Sequence, residues 1–524
     1  MSGYGLPSTN ASVTQRRAAA PPPVPITDLG MWARLSSHLV LIALVLITRV
    51  PLIGNFEGEP DTARYVTGLY LWSNGDRASP LVYAKTMSAG YYWLAAHLAA
   101  LTHASVQNYS LMLSIVSLCG TLLMASAVYE LSRFVTGDQL ALLCSVLFLL
   151  SPAIWWMGIQ GHPQALAVAL AMLGLYAYVR AMVISRSWYW FAVAVVALTM
   201  SLLMKIDAIL LFPAFFGLLV FRWPSDKMIA VPLLATVGLL GLASAGFLLT
   251  YSLILQTGVT QVQGETNRLM GMFLVIPSGS GILRQAVPIV LALGPVLFLF
   301  TAVGLVFLMR KHSGQQLSRW LVVLLTWFLP GSMFWFLIAG NNPRHVAVFT
   351  LVLIWAGVTG WVRAVGIRVT VAIALMVMLL NFWSIPANSD TSYLLSPNVP
   401  GGVRALRARE DEIRYVAATM ANRGGTSCFL GTYTVPYFRV YLLQISQPLP
   451  SVTGQDDTVG SWLVSSHYAI RSLYVRAGPK IDLPCSPAFS VEYFPDGKKR
   501  RFLGKEVYSS PMWAALVDRA SGAR

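Results

Sequence analysis

The sequence predicts a multi-span α-helical membrane protein that ends in a small extracytoplasmic α/β domain. Three observations carry this expectation. Of the 524 residues, 56% are hydrophobic and only 11% are charged, against about 45–50% and about 25% in soluble domains. The apolar residues gather in about eleven runs, and a spanning helix needs roughly 20 such residues. Near residue 386 the composition changes, and charged residues and turn formers return. Within lipid each backbone polar group must be satisfied inside its own segment, so the apolar runs are expected as helices.

The elements follow in order. Residues 1–35, with PPPVP and the pair Arg16–Arg17, read as a disordered cytoplasmic tail and not as a cleavable signal. The expected spans are 36–54, 109–132, 139–157, 164–183, 188–204, 207–222, 229–256, 285–309, 319–339, 344–362 and 368–385. The segment AGYYWLAAHLAALTH (90–104) is apolar but too short to cross, so a re-entrant or interfacial helix is expected there. With that segment not crossing, one set of loops carries Arg133, Arg180, Arg186, Arg222, Lys227, Arg310, Lys311, Arg319, Arg363 and Arg368. After residue 109 the opposite loops carry only Lys205, Arg268, Arg284 and Arg344. Basic loops stay on the cytoplasmic side, so the N-terminus is expected inside and residues 54–108 outside. The net charge of +16 then reflects topology and anionic lipid, not nucleic acid. No long internal repeat is visible.

In the last region, 386–524, residues 404–423 have the pattern of an amphipathic helix. SCFLGTY (427–433) and FSVEYF (489–494) read as strands, and PDGKKRRFLG predicts a hairpin turning at Asp496–Gly497. Cys119 and Cys144 fall in apolar runs and read as small hydrophobes. Cys428 and Cys485 fall in the polar region, where an oxidising compartment would let them form a disulfide.

The candidate chemistry lies in residues 54–93, which hold Glu57, Glu59, Asp61, Arg64, Asp76, Arg77 and Lys85. Pro60 suits the first turn of a helix, so Glu59 and Asp61 sit near a helix N-terminus. Carboxylates there serve as a general base, as metal ligands or as a helix cap. Glu59 and Asp61 offer two hard ligands, compatible with a divalent cation (Mg²⁺ or Mn²⁺) held jointly with a substrate phosphate. No cofactor is required by the pattern. The same topology gathers Gln160, His162, Lys205, Asp207, Glu265, Asn267, Arg268, Asn341, Asn342, Arg344 and His345 on the external side. Ionisable groups at membrane helix ends are costly unless they pair or face water, so their convergence suggests a cavity. For each a plain alternative stands beside the functional one. His162 precedes a proline, as at many helix starts. Lys205 and Asp207, two residues apart, read equally as an ion pair. Asn341–His345 read equally as a helix break.

The stretch GEPDTARYVTGLYLWSNGDRASPLVYAKTMSAGYYW resembles the first external loop of the C-type (GT-C fold) glycosyltransferases. It is most similar to the bacterial aminoarabinose transferases and the protein O-mannosyltransferases. Their pattern runs D-E-x-R-Y, a helix, G-D, then K-P-P-L-Y-Y-W. Asp61, Arg64, Tyr65, Gly75, Asp76, Lys85, Tyr91, Tyr92 and Trp93 fall in matching order, and PRHVAVFTLVLIWAG (343–357) resembles a later family run. Thr62 replaces the second acid, and Thr86–Ala89 replaces the P-P-L element.

The resemblance implies an inverting transferase that takes a sugar from a polyprenyl phosphate and delivers it to an extracytoplasmic acceptor. Glycolipid, cell-wall glycan and protein all remain open as acceptor. Asp61, with Glu59, becomes the candidate base. Lys85, Arg344, His345 and Lys205 become candidate phosphate ligands. Arg64, Tyr65, His162, Tyr92, Asn341 and Asn342 become candidate substrate contacts. The expected location is the plasma (inner) membrane. A transporter or lipid flippase, which would show inverted repeats, and a non-catalytic scaffold of the same fold are the alternatives.

Overall fold

The computed structural model describes residues 30–53, 60–77, 88–185, 187–222, 230–256, 289–311, 314–334 and 343–384, together with eight short strands between 427 and 518. The chain opens with α1 (Met31–Arg49) and a 3₁₀ turn, Val50–Leu52. α1 begins right after Gly30, so residues 31–35, expected in the tail, are helical. Nothing in MWARL opposes a helix, and Gly30 is the last breaker before it. Pro51 lies in the closing turn, where its missing N–H and ring end regular helix.

Two short helices follow, α2 (Pro60–Ser73) and α3 (Ala89–Leu101). The 13 residues of α3 span only about 20 Å at 1.5 Å each, short of the roughly 30 Å hydrocarbon core. Its first turns are buried, whereas Leu101 at its end is 77% exposed. α4 (Tyr109–Thr136) is the long central helix. The expected run 139–157 is divided into α5 (Asp138–Leu149) and α6 (Pro152–Met157). Pro152 cannot continue α5 but fits the first turn of α6. Next come α7 (Gln164–Val179), closed by a π turn at Arg180–Ile184, α8 (Trp188–Met204), and α9 (Phe212–Arg222) after a 3₁₀ turn at Ile206–Leu211. α10 (Ala230–Leu255), α11 (Pro295–Lys311), α12 (Gly314–Phe334), α13 (Pro343–Ala347), α14 (Leu351–Val365) and α15 (Ile367–Ser384) complete the helical part.

α4 packs along α7, α7 along α8, and α11 along α14. In the last pair an added Cβ on Gly357 would lie 2.9 Å from the Thr301 Cα, and one on Gly360 would run into the Gly304 carbonyl. Small residues let these backbones touch, the usual basis of helix association in lipid. Among the described residues five helices are long and apolar enough to cross a membrane, and six shorter apolar ones accompany them. α10 turns Leu234, Val237, Leu249 and Leu253 outward, each more than half exposed. An outward apolar face of this extent suits lipid as solvent.

At the α1 start and α4 end a charged cluster ties the bundle together. Glu130 accepts from Arg34 at 2.7 Å, from His38 at 3.0 Å and from Arg133 at 3.2 Å. Arg133 also bonds Asp138, the first residue of α5. Glu130 thereby joins α1 to α4, and Arg133 carries the network on to α5 through Asp138.

In the C-terminal region β1 (Ser427–Leu430), β2 (Ser451–Thr453), β3 (Trp462–Val464) and β4 (Tyr468–Arg471) form a sheet of order β1-β4-β3-β2. β1 and β4 run parallel and the other pairs antiparallel. β5 (Phe489–Val491) pairs with β8 (Leu516–Asp518), and β6 (Arg500–Phe502) pairs with β7 (Lys505–Val507). The two expected strands, at 427 and 489, are therefore present. The expected turn at Asp496–Gly497 lies outside the described residues; what is described is that β6 pairs antiparallel with β7, not with β5. The expected helix 404–423 lies outside the described residues, as do the side chains of Cys428 and Cys485. Cys119 and Cys144 are free thiols.

Candidate active site

The candidate site is assembled at the end of the bundle where α2 begins. Pro60 is the first residue of α2 and Asp61 the second. Proline's fixed φ suits this position, and an acid in the first turn complements the helix dipole. The Asp61 side chain lies outside the described residues. Thr62 is fully buried, and one turn beyond Asp61 comes Tyr65, 2% exposed. Arg64 is half-buried on the same helix.

Two close approaches hold α2 and α3 in place. A Cβ on Gly161 would lie 2.8 Å from the Leu113 Cβ and 3.1 Å from the Thr62 Cγ2. Only glycine lets the 158–163 turn sit this close to the start of α2. A Cβ on Gly90 would lie 2.8 Å from the Leu203 Cβ and 2.9 Å from the Leu203 carbonyl oxygen. α3 is thus pressed onto the end of α8, two residues before Lys205. Tyr91 and Tyr92, both fully buried, meet Tyr65 at ring-centroid distances of 5.5 and 5.7 Å.

His162 stands at the centre. Its backbone N–H donates to the Ser117 Oγ at 3.2 Å, and that hydroxyl donates back to the His162 carbonyl at 2.9 Å. The ring packs edge-on against Tyr65 at 5.0 Å. Its Nδ1 accepts the Gln164 backbone N–H at 3.2 Å, so a neutral ring carries its proton on Nε2. Burial, and next the Lys205 charge, hold the imidazole well below its usual titration range. His162 is therefore a neutral donor through Nε2–H.

The cations come from distant segments. The Gln164 Nε2 donates to the Arg344 carbonyl at 3.1 Å, and the Lys205 Nζ approaches the Gln164 Oε1 at 3.5 Å. Lys205 also pairs with Asp207 at 3.0 Å. Lys205 ends α8 in an extended conformation (φ −161°) and Asp207 lies in the first turn of the 3₁₀ segment Ile206–Leu211, which lets two residues that share no helical face meet. Both Lys205 and Arg344 are under a tenth exposed. His345 lies within electrostatic range of Lys205, Arg344 and His162. Lys205 and Arg344 bring an ammonium and a guanidinium group, and His162 a neutral N–H donor, to one buried place, a donor set of the kind that binds phosphate.

Of the residues singled out in the sequence, Tyr65, Tyr92, His162, Lys205, Arg344 and His345 come together. Glu59, Lys85, Asn341 and Asn342 lie outside the described residues. No group of three His, Cys, Asp or Glu side chains with metal-site geometry occurs among the described residues. Sequence reasoning missed Gln164 and Ser117. Gln164 carried a signal, being the last polar residue of WMGIQGHPQ before an apolar run. Ser117 carried none, since serine is ordinary in a membrane helix.

Comparisons with known proteins follow this geometry. Among solved structures, ArnT from Cupriavidus metallidurans in the apo state is similar at 15% identity, covering 80% of this chain and 86% of that one, with a TM-score of 0.49. The Archaeoglobus fulgidus oligosaccharyltransferase tethered to an acceptor peptide is similar at 14% identity and a TM-score of 0.47. The match covers 78% of this chain and 63% of the oligosaccharyltransferase, less than two thirds of its length. No curated protein matches. Residues 88–251 match the family described as dolichyl-phosphate-mannose-protein mannosyltransferase. This segment holds Tyr92, His162, Gln164 and Lys205, but not Asp61, Lys85 or Arg344. Over that segment the chain resembles a family of membrane glycosyltransferases, in agreement with the resemblance read from its first loop.

Proposed function

We propose that the protein is a polyprenyl-phosphate-sugar-dependent, inverting glycosyltransferase of the cell membrane, with its site on the extracytoplasmic face. The observation that carries this reading is the buried cluster of Lys205, Arg344 and neutral His162 beside the helix that starts at Pro60–Asp61. The family match over 88–251 and its dolichyl-phosphate-mannose donor support the choice of donor class.

In this reading the donor phosphate sits against Arg344 and Lys205, joined by Lys85 and His345. Cations there stabilise the charge that grows on the phosphate as the sugar C1–O bond breaks. Both electrons of that bond leave with the polyprenyl phosphate. The acceptor hydroxyl attacks C1 from the opposite face, and its proton passes to the Asp61 carboxylate. A carboxylate is a weak base for an alcohol, so alignment of acceptor and C1 contributes more than basicity. Arg64, Tyr65, Tyr92, His162, Asn341 and Asn342 would line the sugar and acceptor. Glu59 would support Asp61, directly or by sharing a divalent cation. The N-terminus would be cytoplasmic, and residues 386–524 would form an external α/β domain.

The test uses the full chain in nanodiscs with radiolabelled polyprenyl-phosphate sugars. Release of labelled sugar from the lipid, lost in Asp61→Asn and weakened in Lys205→Met, is the expected result. Movement of intact labelled lipid between leaflets without cleavage would instead establish a transporter. Full activity of Asp61→Asn would remove that residue as the base.

A further inference from the structure

A pocket opens at the same end of the bundle, outside the cluster described above. It has a volume of about 640 Å³ and is lined by the end of α2, the Gly75–Arg77 turn, the outer side of α3 and Tyr109. The charged or titratable lining groups are Arg77, His97, His103 and Tyr109, and Asp76 lies between Gly75 and Arg77 in the lining turn. Its floor is apolar and small, formed by Ala96, Ala99, Ala100 and Ala104.

We infer that this pocket seats the anionic, phosphate-bearing headgroup of a membrane lipid. Three observations support this assignment. Arg77 is fixed across the mouth because its Nη1 donates to the Ile254 carbonyl at 3.1 Å, near the end of α10. A guanidinium has five N–H donors, so the others remain for a ligand. His97 bonds the Trp93 carbonyl through Nδ1 at 2.7 Å, which leaves Nε2 as the nitrogen able to meet a ligand.

The third observation selects a lipid over a soluble ester. The residues flanking the pocket on α3 and α10 are exposed and apolar: Trp93 is 41%, Leu101 77% and Leu253 76% exposed. A headgroup held by Arg77 would have its chains continue over this greasy surface, with Trp93 at the level where tryptophan anchors membrane proteins. Basic groups next to apolar membrane surface attract anionic headgroups. The pocket also connects to the cation cluster through aromatic rings. Trp72 in its wall stacks on Tyr92 at 5.8 Å, Tyr92 lies 5.7 Å from Tyr65, and Tyr65 lies 5.0 Å from His162. This assignment does not depend on the transferase reading, and its test contains no activity measurement.

The experiment titrates the full chain in neutral detergent with short-chain phosphatidic acid, phosphatidylcholine and inorganic phosphate, and reads bound lipid by native mass spectrometry. Phosphatidic acid should bind at least tenfold more tightly than phosphatidylcholine. Arg77→Gln should lose about tenfold, and His97→Gln/His103→Gln, which leaves the Arg77–Ile254 bond intact, should lose several-fold. Equal binding of the two lipids, or unchanged affinity in both variants, would overturn the assignment. Inorganic phosphate binding as tightly as the lipid would overturn the lipid part and point to a soluble phosphate ester.

Discussion

The side-chain amide of Gln164 donates to the backbone carbonyl of Arg344 at 3.1 Å, across a buried boundary between α7 and α13. Its oxygen faces the Lys205 ammonium at 3.5 Å. One amide therefore ties the Arg344 backbone on α13 to the Lys205 ammonium. Gln164→Ala would remove both contacts without adding charge. A buried hydrogen bond contributes about 1 kcal/mol, and leaving its partner unsatisfied costs about 1–3 kcal/mol. The expected outcome is a five- to fifty-fold loss of kcat/KM for the lipid donor, with gel-filtration behaviour unchanged. A loss confined to protein yield, with normal kinetics for the folded fraction, would show Gln164 to be structural only.

Protonation of His162 offers an independent check on the site. Its folded-state titration lies below the ordinary value of 6.5, chiefly through burial. As pH falls through that range the unfolded chain takes up the proton before the folded one, so folding weakens on acidification. The stability due to the neutral ring is present above the unfolded value of about 6.5 and declines below it. Thermal unfolding of the detergent-solubilised protein should show a midpoint that drops between pH 7.5 and 5. In His162→Asn that drop should be smaller. Parallel slopes in the two proteins would mean that His162 is not held neutral by its surroundings.

Much of this was legible in the residues. Apolar run length predicted where helices lie because backbone satisfaction in lipid leaves few alternatives. Pro60 predicted the start of α2 through its fixed φ. The grouping of His162, Lys205 and Arg344 followed from counting helices, since alternate loops return to one face. Three things were not legible. Pro152 splits α5 from α6, because apolar content alone does not register a missing N–H. β5 pairs with β8 and not with β6, because strand pairing depends on partners remote in sequence. Gln164 and Ser117 matter through contacts across helices that no spacing rule encodes.

Glu130 gives a prediction about stability at the other end of the bundle. Its carboxylate is 8% exposed and bonds Arg34, His38 and Arg133. Removing one member of a buried charged group leaves the remaining charges uncompensated, at a cost of about 3–5 kcal/mol. Glu130→Ala should lower the thermal midpoint by many degrees and reduce membrane yield, while the folded fraction keeps its turnover number. An unchanged midpoint would show that Arg34 and Arg133 find solvent or other partners.

Gly161→Ala tests whether the 158–163 turn sets the position of the helix that carries Asp61. The added methyl would meet the Leu113 Cβ at 2.8 Å and the Thr62 Cγ2 at 3.1 Å. The Leu113 contact is at a side-chain root and cannot rotate away, so the backbone must yield. Thr62 is the neighbour of Asp61, and a shift there moves the start of α2 relative to His162. Overpacking of this kind costs about 1–3 kcal/mol, and a displacement of about 1 Å at reacting groups can lower a rate about 100-fold. Transfer should therefore fall far more than stability does. Gly238→Ala is the control: it lies in α10 with nothing within 4 Å of the added Cβ, and alanine is the better helix former. Gly238→Ala should leave turnover unchanged and stability equal or slightly higher. If Gly161→Ala behaves like this control, the turn does not position α2, and the contact between Thr62 and the His162 segment carries no functional coupling.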